Sequence, residues 1–188
     1  MNSMQNKEMW DQLVAMALEF GAKNANVISS ELIETDREFR DMCESNACGV
    51  YGKCHMCPPD VGEIDALMQE VRRYDYALVY QTVTELEDSY DIEGMFAARK
   101  QMPALSQKLR KALKDAPFSK VLHLGVGGCG VCEVCSKRTN EPCRFPELAM
   151  PSLEAYGINV SQLAKAAGMK YINGQDTVTY FGAVLFSL

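Results

Sequence analysis

Cys129, Cys132 and Cys135 recur at every third residue, and Cys143 lies eight residues beyond the third. A second group upstream consists of Cys43, Cys48, Cys54 and Cys57, the last followed by Pro58-Pro59. The two groups contain all 8 cysteines of the chain. The thiolate is the form that ligates metal, and thiols gathered this densely in a reducing compartment point to metal rather than to disulfides.

The downstream spacing, C-x2-C-x2-C-x7-C, begins like the bacterial ferredoxin run C-x2-C-x2-C-x3-C-P. Three thiolates at that spacing can each reach a different iron of one cube. Gly127, Gly128 and Gly130 let the backbone come close, leaving amide N–H groups free to donate to sulfur. The fourth cysteine is displaced, and Pro142 precedes it rather than follows it, so a ferredoxin fold is not implied. The upstream spacing is C-x4-C-x5-C-x2-C-P-P, whose Cys57-Pro58 pair matches the cysteine-proline end of a ferredoxin site. Each group offers the four ligands of one cluster. The spacing therefore predicts two [4Fe-4S] clusters, one per group, with Cys43, Cys48, Cys54, Cys57, Cys129, Cys132, Cys135 and Cys143 as ligands. Exchange of a ligand between groups stays open, because two-cluster ferredoxins do this.

Zinc is the alternative. All-cysteine zinc sites usually come as two separated C-x2-C pairs, and three cysteines in a row fit that less well. A zinc-stabilised interaction module is the corresponding function. A third reading is a small reductase or sulfur-handling enzyme, in which one group supplies only three ligands and leaves a metal position open. The leading reading is single-electron transfer to a redox partner or small molecule.

Other polar residues carry weaker signals. His55 lies between Cys54 and Cys57 as a donor to sulfur or an exposed ring; His123 reads as a packed strand residue. Arg144 is either a counter-charge to the metal or an ordinary surface cation. Glu154 and Tyr156, in Pro151-Ser152-Leu153-Glu154-Ala155-Tyr156-Gly157, could line a site as proton donors, though packing accounts for both. No G-x-G-x-x-G, P-loop or C-x3-C-x2-C run occurs, and two histidines without a triad context do not suggest hydrolysis.

These loops need a scaffold. Trp10, Leu13, Val14, Ala17 and Leu18 mark one face of a helix that Gly21 stops. Residues 25–33 read as a strand, and the charged run 34–41 as a solvated edge or turn. Residues 43–57 read as a loop. Asp60 and Glu63 resemble a capping box that would start a helix directly after it, whose positive end would favour an anionic cluster. Residues 76–83 and 121–126 read as strands, the latter delivering the chain into the second cysteine loop. Residues 91–115 read as helical, kinked or restarted at Pro103. Asn159 and Gln162 suggest a second capping box, with Gly168 as the stop. Residues 177–186 form the clearest strand.

The fold class expected is α/β. One domain over residues 1–188 would hold a mixed sheet of about four or five strands flanked by helices, with two cysteine-rich metal loops. No apolar run is long enough for a membrane span, and the polar N-terminus lacks a secretory apolar core, so a cytoplasmic protein is expected. The formal charge of −6 argues against nucleic-acid binding. Two four-thiolate clusters would take it to about −10.

Cys54-His55-Met56-Cys57-Pro58-Pro59, Gly128-Cys129 through Cys135, Pro142-Cys143-Arg144 and the 151–160 stretch together resemble the predicted metal-binding family called domain of unknown function 2284. The resemblance covers nearly the whole chain. It implies metal binding through the eight matching cysteines and, since the family is found largely in anaerobic bacteria and archaea, a setting that suits oxygen-sensitive clusters. It implies no reaction and no substrate.

Overall fold

The structure, a computed structural model, describes residues 3–188. Its centre is a four-stranded antiparallel sheet in the order β1-β2-β4-β3, comprising β1 (Asn24–Ser29), β2 (Tyr76–Glu85), β3 (Lys120–Leu124) and β4 (Thr177–Ser187). The two longest strands pair along their whole length, from Tyr76 opposite Phe186 to Glu85 opposite Thr177. Side chains alternate across a strand, so β2 and β4 each feed two cores. Ala77, Val79, Phe181, Ala183 and Leu185 face one layer, and Leu78, Tyr80, Val184 and Phe186 face the other.

Helices cover both faces. α3 (Ile64–Val71) and α6 (Val160–Ala166) close the first core through Leu67, Val71, Leu163 and Ala164. α1 (Ser3–Glu19) and α5 (Gln101–Ala112) close the second through Leu13, Ala17, Leu105 and Leu109. The expected α/β class with helix-flanked strands therefore holds, with four strands in one sheet, though their pairing is antiparallel throughout rather than mixed. Pro103 sits in the first turn of α5, where a missing N–H costs nothing. The preceding α4 (Ile92–Arg99) is capped by Asp91, whose carboxylate accepts from Gly94 N–H at 2.7 Å. α6 begins as its capping residues predict, with Asn159 accepting from Gln162 N–H at 3.2 Å.

Three local expectations are corrected. The strand at 25–33 stops at Ser29 and passes into a short 3-10 turn, Ser30–Leu32. The charged run is partly helical: α2 spans Glu38–Glu44 and carries Cys43 in its last turn, so the first cysteine is helical rather than in a loop. Asp60 does not cap α3. That helix starts at Ile64 with Glu63 as its uncapped boundary, while the Asp60 carboxylate pairs with Lys137. The cysteine loop thus does not run directly into a helix N-terminus.

Both cysteine loops lie beyond the same end of the sheet. β2 and β3 each pair antiparallel with β4, so their C-terminal ends point the same way. From the end of β3 the chain enters the second loop. Gly125 then forms a parallel bridge with Ser152, through Gly125 N–H to Pro151 O at 2.8 Å and Leu153 N–H to Gly125 O at 3.1 Å. The bridge holds the 151–157 turn against the sheet end. Asp36 N–H donates to Gly157 O at 2.7 Å and Asn159 N–H to Glu34 O at 3.0 Å, which brings the segment leading into α2 to the same place. No described helix is long and apolar enough to cross a membrane.

Candidate metal centres

Local hydrogen bonds shape each cysteine loop. Upstream, Asn46 adopts a left-handed backbone with φ 54°, and its side-chain oxygen accepts from Tyr51 N–H at 3.1 Å. Gly52 N–H donates to Pro58 O at 2.9 Å, folding the chain back so that Cys54 and Cys57 are presented together. Downstream, a 3-10 turn over Ser136–Thr139 and a left-handed Asn140 reverse the chain after Cys135. The Ser136 hydroxyl donates to Pro142 O at 2.8 Å and closes this loop. The seven intervening residues are a compact hairpin that returns Cys143 to the other three cysteines.

The loops are also tied to each other. Lys137 pairs with Asp60, and the His55 Nε2–H donates to Glu141 O at 2.9 Å. His55 therefore braces the second loop. Gly128 lies so close to the first loop that a methyl group there would sit 3.9 Å from the Cys57 sulfur. Gly127 has φ 60°, and the Arg99 guanidinium occupies the space where its side chain would begin. A side chain here would be strained by the backbone and would displace the Arg99 guanidinium.

Two cavities result. A small one of about 30 Å³ is lined by Cys129, Cys132, Cys135 and Cys143, and by Cys54 from the first loop. A second, of about 540 Å³, is lined by Cys43, Cys48 and Cys57, together with Arg99, Glu154 and apolar side chains. All eight cysteines thus face one cavity or the other, and none forms a disulfide. The structure divides them by location rather than by sequence group: Cys54 stands with the downstream four. The Cys54–Cys57 turn is the shared wall.

At that wall the Cys57 thiol donates to Cys54, which lowers the Cys54 pKa and raises that of Cys57. The backbone N–H groups of Cys129 and Met56, and the Cys135 side chain, further favour the Cys54 thiolate. Burial pushes Cys43 and Cys129 upward, as neutral thiols in poorly hydrated walls should behave. Such thiols ionise when they ligate metal, so the site favours an occupant that replaces the lost hydration.

Arg40 adds a second sign of an anionic occupant. It is buried on α2 one turn before Cys43, and its Nη2 donates to Gly62 O at 3.0 Å and Ala155 O at 3.3 Å. Its Nε has no partner and no carboxylate pairs with it among the described residues. A buried cation needs a counter-charge, and its field acts on Cys43. A metal held by thiolates supplies that charge, so the donor set fits.

A family model matches residues 26–186. The chain belongs to the predicted metal-binding protein family (DUF2284). No curated protein and no solved structure matches it. Membership of DUF2284 makes metal binding the predicted property of the chain.

The remaining predicted residues separate cleanly. Glu154 lines the larger cavity, and burial raises its pKa against the opposing effects of its own N–H, the Ser152 hydroxyl and Arg99. Tyr156 turns the other way and donates to Glu70 at 3.4 Å on α3, a packing role. His123 is packed as expected, with Nε2 2.6 Å from the Tyr80 hydroxyl. Arg144 reaches Glu141 at 3.6 Å on the surface. Arg99 and Arg40 were missed. Arg40 carried a faint signal, a basic residue three positions before a cysteine; Arg99 carried none, since its role comes from a loop 28 residues away.

Proposed function

We propose that the protein carries two [4Fe-4S] clusters and passes single electrons to a redox partner. The observation that carries this reading is the pair of thiol-lined cavities sharing the Cys54–Cys57 wall. When bound, such clusters supply reversible one-electron chemistry, while the protein sets the potential and the docking. Around them the chain's own residues have definite tasks. The Cys129 and Met56 N–H groups favour extra electron density at the Cys54 sulfur, which raises a reduction potential. The Lys137–Asp60 pair and the His55–Glu141 contact hold the two loops at a fixed separation. Arg40 offsets negative charge on the α2 side.

The sequence spacing of the downstream thiols supports a polynuclear core over zinc. Cys129, Cys132 and Cys135 stand three residues apart, whereas all-cysteine zinc sites come as two separated C-x2-C pairs. Tetrahedral zinc needs every sulfur at about 2.3 Å from one centre, whereas a cube spreads its thiolates over different irons. A second reading, a small reductase with one metal position free of cysteine, is favoured by the three-thiol wall of the larger cavity.

Purification under strict anaerobiosis tests the proposal. The expected content is about eight iron and about eight sulfide per chain, with electron paramagnetic resonance signals of two interacting reduced clusters. Stoichiometric zinc without iron would overturn it.

A further inference from the structure

The two cavities differ in a way that electron transfer alone does not require. The downstream one offers about 30 Å³ among five thiols. The other offers about 540 Å³, within the range of small-molecule sites. Three thiols line it, Cys43, Cys48 and Cys57, while Cys54 lines the smaller cavity.

The walls of this larger chamber define a ligand. Phe39, Val50 and Met95 line it, and Met42 and Phe96 at its rim are 66% and 61% exposed. Apolar side chains this exposed, grouped around one opening, mark a binding surface. Two charged side chains face inward, Arg99 and Glu154. Glu154 is satisfied locally by its own N–H and the Ser152 hydroxyl. Arg99 has no carboxylate within ion-pair distance among the described residues. Its guanidinium lies beside the Gly127 backbone at the chamber wall. A half-buried guanidinium on an apolar wall, with Glu154 in the same chamber but no described carboxylate within ion-pair distance, is suited to a planar anion.

We propose that the Cys43–Cys48–Cys57 chamber binds a small organic carboxylate with an apolar body, its acid group received by Arg99 and its body lying against Phe96, Met42 and Val50. This deepens the iron–sulfur reading, on which it rests for the nature of the neighbouring centre. The bound acid would lie beside the metal centre that has only three cysteines.

Isothermal titration calorimetry on the anaerobically purified protein provides the test. The probes are acetate, hexanoate, benzoate and 3-phenylpropionate, each compared with its neutral amide. At least one of the larger acids should bind roughly 10-fold or more tightly than its amide, and acetate should bind worst. Arg99→Met should bring that acid down to its amide's level, with iron and sulfide content unchanged. The acid should also perturb the paramagnetic resonance signal of one centre in the wild type and not in Arg99→Met. No binding by any acid, equal binding of acid and amide, or full binding by Arg99→Met would overturn the proposal. Arg99-dependent binding to a protein containing zinc and no iron would uphold the carboxylate site while removing the cluster reading.

Discussion

At the scale of single residues, His123 is a buried titratable group outside the cysteine loops. It is buried on β3, with the Tyr80 hydroxyl 2.6 Å from its Nε2, and Tyr80 in turn lies 2.7 Å from the Ser106 hydroxyl. Burial pushes the His123 pKa down to about 3, with the Arg110 charge acting in the same direction. The ring is therefore neutral in the folded protein. Once unfolded it takes a proton at the ordinary histidine value of about 6.5. Between these values the unfolded chain binds more protons, so stability falls as pH falls through that window and is unaffected by this group above it. His123→Gln, which keeps a polar partner for Tyr80, should flatten the acid limb by up to about 1.4 kcal/mol per pH unit. Urea unfolding at about pH 7 and about pH 5, comparing the variant with the wild type, measures this. The sequence showed that His123 belonged to a packed strand. It could not show the hydroxyl that receives the ring, because Tyr80 and Ser106 arrive from β2 and α5.

At the scale of elements, long-range ties decide what local signals leave open. Asp60 has the spacing of a helix cap, yet its carboxylate goes to Lys137, 77 residues later. A partly buried ion pair between two loops outcompeted a local cap. The same tie explains why the two cysteine groups, legible as groups from spacing alone, were not legible as sites. Which cavity Cys54 enters is set by how the loops dock, and nothing within residues 43–57 encodes that. Lys137→Ala should leave the sheet intact and loosen this docking. Metal release to an added chelator should speed up several-fold, while the far-ultraviolet circular dichroism spectrum of the loaded protein stays unchanged. Asp60→Ala should have the same effect, and the double variant should be little worse than either single one. By contrast, the regular elements were largely readable. α1, α6, β2 and β4 follow from periodicity, Asn159 and Gly168, since their apolar faces and caps lie within the element itself.

At the scale of the whole molecule, the two cores and the two thiol-lined cavities occupy different ground. The cores lie on the faces of the sheet, while the cavities lie past its end. Small metal domains whose only core is the metal unfold when it is removed. Here the buried side chains of β2, β4, α5 and α6 need no metal. Chelation should therefore raise backbone hydrogen exchange sharply in residues 43–62 and 127–150, with β2 and β4 keeping their protection. Hydrogen-exchange mass spectrometry before and after chelation checks this. Simultaneous loss of protection in β2 and β4 would mean that the metal holds the entire fold.

The placement of β4 has a consequence for how the protein is made. This strand lies in the middle of the sheet, between β2 and β3, yet it follows every cysteine in the chain. While the ribosome is still adding residues before Thr177, β2 and β3 have no common neighbour and the sheet end that bears both loops does not exist. Pairing between β2 and β4 closes a long stretch of chain, and such contacts form late. All eight thiols therefore precede in the chain the strand that completes the sheet end bearing both loops.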